Sequence, residues 1–176
     1  MEHLSGRRGA VGAVEHAGHL LEQVPDPEIP VVSSRELGIL REISERDGVI
    51  EVVITPTYSG CPAMGQIEDD VRNALAQSGM PVTIVTRLAP AWTTDWISAV
   101  GRRKLAAYGI APPAHLEPGA AVPIRFFGGR SGAARLACPR CGSLQTERLS
   151  AFGSTACKAL YRCMACREPF EHFKPI

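Results

Sequence analysis

Four cysteines in two matched pairs constrain this chain more than any other feature. Cys138-Pro-Arg-Cys141 and Cys163-Met-Ala-Cys166 are separated by 21 residues. Each CxxC turn aims two sulfurs at one point, and two such turns complete a tetrahedral four-sulfur site. The intervening segment is long enough for a hairpin that brings the turns together, a little beyond the usual spacing. Gly142 follows the first pair, where a chain wrapping a metal must turn tightly. A closed four-thiolate site suits zinc, and iron takes the same donors. The competing reading is four free or redox-active thiols, but redox CxxC motifs usually come singly. A closed site is structural, holding a module too small to own a core. Residues 136–176 are therefore expected to form a zinc ribbon around structural zinc.

The rest of the chain reads as one ordinary domain. Of 176 residues, 45% are hydrophobic and 21% charged, which supports a buried core and excludes wholesale disorder. The small net charge of +1 hides an asymmetry. Residues 1–124 carry 10 basic and 15 acidic side chains, and residues 125–176 carry 9 and 3. An acidic body and a basic tail imply docking against a partner, or against each other.

Apolar spacing predicts a helix over residues 10–24, ended by Pro25. Asp26-Pro27-Glu28-Ile29-Pro30 then forms a stiff loop with two carboxylates. Strands are expected over 37–46 and 49–56, joined at Asp47-Gly48 by a tight turn needing positive φ. A helix starting at Pro62 buries Met64, Ile67, Val71 and Leu75 and stops at Gly79. A third strand covers 81–88. A last helix, capped near Thr93, runs to Tyr108 with Trp96, Ile97, Val100, Leu105 and Tyr108 on one side. The fold class is α/β (α+β): a small mixed sheet of three to four strands with helices, plus the ribbon. The domain occupies 10–110. A Pro/Gly-rich linker over 111–135 carries one short strand at Ile124–Phe127.

Four further residues are candidates for a transient metal or sulfur site. Cys61 lies where a strand end meets a helix start, and peptide N–H groups there stabilise a thiolate. It is equally a small buried residue at a tight turn. Cys157 sits inside the ribbon hairpin beside Lys158, a cation able to lower a thiol pKa. Its plainer role is packing at the hairpin tip. Asp26 and Glu28 could bind iron, although a cap or turn role is commoner for such loop carboxylates. Trp92 and Trp96 fit core and rim. The five histidines show no constellation, and no phosphate loop, nucleophile elbow or HExxH motif is present.

Asp26–Pro30, Glu36–Arg41 and Thr55–Pro62 together resemble the small domain of iron–sulfur assembly factors related to SufT. Trp92–Trp96, Tyr108–Pro113 and Phe152–Lys158 between the two CxxC pairs are more particular. With them, the chain over about residues 10–176 resembles the D-subunit family of bacterial phenylacetyl-CoA epoxidase systems. The resemblance implies an accessory role in building or maintaining a metal centre, with a transient iron or iron–sulfur cluster as cargo. Its implied partners are the other epoxidase subunits. The paired Glu and Glu-x-x-His motifs of a di-iron oxygenase are absent. Ser34 departs from the family pattern, which favours a more apolar residue there, and Leu40 stands where Val is common.

The alternative is a structural or regulatory subunit without metal transfer. Sparse aromatics and an acidic body argue against nucleic acid. No apolar run has the length of a membrane span, and no export signal is recognisable. A cytoplasmic location is expected, where cysteines stay reduced. Homo-oligomerisation stays open.

Overall fold

The structure is a computed structural model that describes residues 5–113 and 136–175. The strand expected at Ile124–Phe127 lies outside the described residues. The chain forms two compact units, one through Gly101 and one from Arg102.

The first unit begins with α1 (Ser5–Glu22), which buries Ala17 and Leu21. The proline loop then closes on itself. Asp26 is buried, and its Oδ1 accepts the Glu28 and Ile29 amides at 3.0 and 2.8 Å. Its own amide donates to Val32 O at 2.8 Å. Ser33 and Glu36 follow as a reciprocal box. The Ser33 amide donates to Glu36 Oε2 at 2.9 Å, and the Glu36 amide to Ser33 Oγ at 3.1 Å. This box opens a turn and no helix follows, because Gly38 takes φ +73°. The first strand consequently starts at Leu40 and not at residue 37.

β1 (Leu40–Arg46) and β2 (Val49–Ile54) pair antiparallel across Asp47 and Gly48, both at positive φ as expected. α2 (Met64–Leu75) crosses over to β3 (Val82–Thr86), which pairs parallel with β2. The sheet order is β1-β2-β3. β2 is central, and its Ile50, Val52, Val53 and Ile54 are all buried. α2 starts two residues later than Pro62 suggested and buries Ile67, Val71 and Leu75.

The single helix expected from Thr93 to Tyr108 is two pieces. Thr93 accepts the Asp95 amide and caps a 3-10 turn over Thr94–Trp96, after which Ile97 is extended. Ser98 Oγ then accepts the Gly101 amide at 2.9 Å, restarting the chain as α3 (Ala99–Tyr108). The break rotates the face: Val100 and Tyr108 are exposed, not part of a buried stripe.

The second unit holds a four-stranded sheet in the order β4-β7-β6-β5. Its strands are β4 (Ile110–Ala111), β5 (Thr146–Ser150), β6 (Lys158–Cys163) and β7 (Pro169–Phe173). β4 sits at the border drawn from sequence between domain and linker, yet it pairs parallel with β7. One buried cluster is Ala111, Cys138, Cys163 and Phe170, with Leu136 and Tyr161 against it, and Ala159 and Phe173 are buried as well. Among the described residues no helix is long and apolar enough to cross a membrane.

Candidate metal centre

The two CxxC pairs fold as near copies of one knuckle. In each, the amide of the first cysteine donates to a carbonyl five residues on: Cys138 to Ser143 at 2.9 Å and Cys163 to Glu168 at 3.0 Å. In each, the residue after the second cysteine is left-handed. Gly142 has φ +73° and Arg167 has φ +66°. Glycine takes this conformation freely, whereas for arginine it costs about 1 kcal/mol. The same wrap is thus built twice, once with the residue expected and once with a strained one.

The knuckles bring all four sulfurs within 4.8 Å of one another. Cys138 and Cys166 Sγ are 3.8 Å apart, and Cys141 and Cys163 Sγ are 3.6 Å apart. A zinc–sulfur bond of about 2.3 Å in a tetrahedron requires sulfurs about 3.8 Å apart. The donor set and spacing therefore fit zinc. Cys138 and Cys163 are buried, Cys166 is half-buried and Cys141 is exposed. The Cys166 amide points at Cys163 Sγ, at 3.5 Å, and is the main cause lowering that thiol to about 6. The Glu168 amide acts to lower Cys166 as well, but burial and the neighbouring sulfurs outweigh it and push this thiol up to about 12. Four sulfurs so close cannot all ionise without a cation among them, which is what a zinc ion supplies.

Each remaining candidate has its own local setting. Cys61 is half-buried in the turn after β2, where its amide donates to Tyr58 O at 3.2 Å. Cys157 is buried in the second unit with its sulfur 3.0 Å from Thr155 Oγ1. Lys158, expected to act on Cys157, instead pairs with Glu171 Oε2 at 3.0 Å. The Asp26 carboxylate shapes its own loop, and Glu28 is half-buried beside it. Among the described residues, the ribbon cysteines are the one group of three or more metal-binding side chains. Nothing in the sequence signals the Lys158–Glu171 pair. Nor does it foretell Arg41, whose guanidinium lies 3.4 Å over the Trp96 ring.

An iron–sulfur-assembly type of domain joined to a zinc ribbon is the class that this fold and site define. Residues 17–86 match the iron–sulfur cluster assembly protein family, and residues 126–174 match the PaaD zinc beta ribbon domain. A protein of Escherichia coli (strain K12), provisionally named as the D subunit of 1,2-phenylacetyl-CoA epoxidase, is 46% identical over 158 residues. The alignment covers 89% of this chain and 90% of that one. The chain belongs to the PaaD family. The Fe-S protein maturation auxiliary factor YitW of Bacillus subtilis (strain 168) is 35% identical over 77 residues, 43% of this chain and 72% of its own. A crystal structure of a DUF59 domain from Bacillus anthracis shares the fold, with a TM-score of 0.52 at 23% identity. That match covers 56% of this chain and 96% of the other.

Proposed function

We propose that this chain is an accessory subunit of a phenylacetyl-CoA epoxidase system that assembles or maintains an iron or iron–sulfur centre of the complex. The observation that carries the reading is the joining, in one chain, of two parts. One is an iron–sulfur assembly domain with Cys61 at a strand–helix junction, and the other is a PaaD ribbon closed on its own four sulfurs. Cys138, Cys141, Cys163 and Cys166 hold structural zinc and shape a surface for the other epoxidase subunits. Cys61 is the transient ligand or sulfur acceptor, with Cys157 as its candidate partner. Asp26 and Glu28 stiffen the loop that precedes the sheet. The work is placed in the cytoplasm, where these thiols stay reduced.

Metal and sulfide analysis of protein purified without oxygen tests this. One tightly held zinc in wild type and in Cys61→Ser is expected, with iron present only in wild type. Cells carrying Cys61→Ser should lose epoxidase support while the variant remains folded. Full epoxidase activity in those cells would remove Cys61 from the mechanism.

A second reading, a structural or regulatory role alone, draws on one observation. The Asp26 carboxylate is committed to its own turn, and no second group of three metal-binding side chains forms among the described residues. Co-purification with the oxygenase in fixed ratio, unchanged by Cys61→Ser, favours this reading.

A further inference from the structure

β1 carries a bulge. Leu40 pairs with Ile54 and Glu42 with Val53, so Arg41 is the extra residue. A regular strand sends adjacent side chains to opposite faces, and a bulge re-aims one of them. Here Arg41 and Glu42 line the same cleft of about 360 Å³, which Thr55, Arg87, Pro90 and Trp96 complete. Thr55 follows directly on β2, and the Arg87 amide, just past β3, donates to Ile54 O at 2.8 Å. The cleft thus lies at the carboxyl edge of the parallel pair, the edge at which open α/β sheets hold ligands.

The cleft is set before any ligand arrives. Arg41 stacks on Trp96, and its Nη1 reaches Gly38 O at 3.4 Å. Trp96 is pressed against Gly38, where a Cβ would come within 2.6 Å of its Cβ and carbonyl oxygen. Arg87 pairs loosely with Glu42 at 3.6 Å. Arg41 has no carboxylate within ion-pair distance among the described residues. Burial lowers its pKa, yet a guanidinium stays charged at neutral pH. The cleft therefore holds two guanidinium groups against one carboxylate, in a stretch, residues 1–101, with 7 basic and 14 acidic side chains. One uncompensated positive charge is kept in a stretch of chain that is acidic overall.

We propose that this cleft binds a carboxylate, taken by the forks of Arg41 and Arg87, with the apolar part of the ligand against Pro90 and Trp96. The single excess charge matches a monoanion, while a phosphate dianion would carry more charge than the cleft offsets and would meet Glu42. The carboxylate comes either from the chain end of a partner polypeptide or from a small organic acid. This site does not depend on the metal-handling reading, because binding to it is read without iron.

Nuclear magnetic resonance on the full zinc-loaded chain tests it through the Trp96 indole N–H. Four probes are added: N-acetyl-Gly-Phe, its C-terminal amide, sodium phenylacetate and inorganic phosphate. At least one of the two carboxylates should shift the signal saturably, and the amide should not. The peptide acting alone identifies a chain end; phenylacetate acting as well identifies small acids. Arg41→Gln should weaken binding about tenfold, and Arg41→Lys, which keeps charge but loses the fork, should fall between. If Arg41→Gln disturbs the Trp96 packing, Arg87→Gln gives the same readout without touching the ring. The proposal is overturned if no probe saturates, if the amide matches the acid, or if phosphate binds more tightly than both carboxylates. It is likewise overturned if Arg41→Gln and Arg87→Gln both bind like wild type.

Discussion

In the first unit, Leu21, Ile29, Leu37, Ile50, Ile54, Ile67 and Leu75 are all buried, drawn from two helices, the proline loop with the turn after it, and the central strand. One buried cluster of the ribbon unit is Ala111, Cys138, Cys163 and Phe170, two of them sulfurs of the metal site, and Ile110, Ala159 and Phe173 are buried there as well. Full burial of one such apolar side chain contributes about 1.5–3 kcal/mol. Structural zinc contributes about 10–16 kcal/mol of apparent binding free energy in small zinc modules. The first unit therefore rests on many modest terms, and the ribbon on one large term with a few modest ones beside it. Damage in the first unit should accordingly be graded, whereas loss of the metal should be all-or-none for the second.

The sharpest way to break this contrast is to remove the metal. A strong chelator should abolish amide-exchange protection across β5, β6 and β7 while β1 and β2 keep theirs, as residue-resolved hydrogen exchange would show. Simultaneous loss in both units would mean that their stabilities are not separate.

A smaller effect should come from the buried pair in the ribbon. Lys158 is 3% exposed and Glu171 22% exposed by side chain, and Glu171 Oε1 also accepts the Ser154 amide at 2.5 Å. Burial alone would raise the Glu171 pKa, but the Ser154 hydrogen bonds and the Lys158 charge outweigh it and hold the carboxyl low. A carboxyl lowered on folding stabilises above its ordinary value of 4.5. That stabilisation is lost as pH falls from there through the lowered folded value. At pH 7, Glu171→Gln should cost about 2–3 kcal/mol, below the full range for a dry pair because the carboxylate is partly wet. Denaturant unfolding of zinc-saturated protein measures it. A loss under about 0.5 kcal/mol at pH 7 would mean that the pair contributes no more than an exposed ion pair.

The smallest effect tests the core of the first unit. Ser34 is fully buried, and its Oγ has no hydrogen-bond partner among the described residues. Ser34→Ala should stabilise by up to about 1 kcal/mol, since it removes a desolvated hydroxyl that gains nothing in return. A thermal melt checks this, and a clear loss of stability would assign the hydroxyl a role.

Local rules make much of this legible in the sequence. Asp47-Gly48 specifies its turn, β2 announces a central strand by its apolar run, and the CxxC pairs specify converging sulfurs. What stays hidden depends on distant partners. The break at Ile97 falls where the Ser98 amide donates to Glu36 O at 2.9 Å, across more than 60 residues of chain. The start of β1 is displaced by a box, Ser33 to Glu36, that reads as a helix start and serves a turn. Arg41 looks like one more polar strand residue, because a one-residue bulge has no composition of its own. Lys158 reads most simply against its sequence neighbour Cys157, while its real partner lies on the adjacent strand.

The pairing of Ile110–Ala111 with β7 has a consequence for portability. The ribbon sheet takes its edge from residues encoded 26 and 25 positions before Leu136, and both Ile110 and Ala111 are buried. A fragment starting at Leu136 would keep every ribbon cysteine and still lack that edge, leaving β7 open to pairing with foreign chains. Transplanting this ribbon into another protein thus requires Ile110–Ala111 as well as the segment that carries the four cysteines.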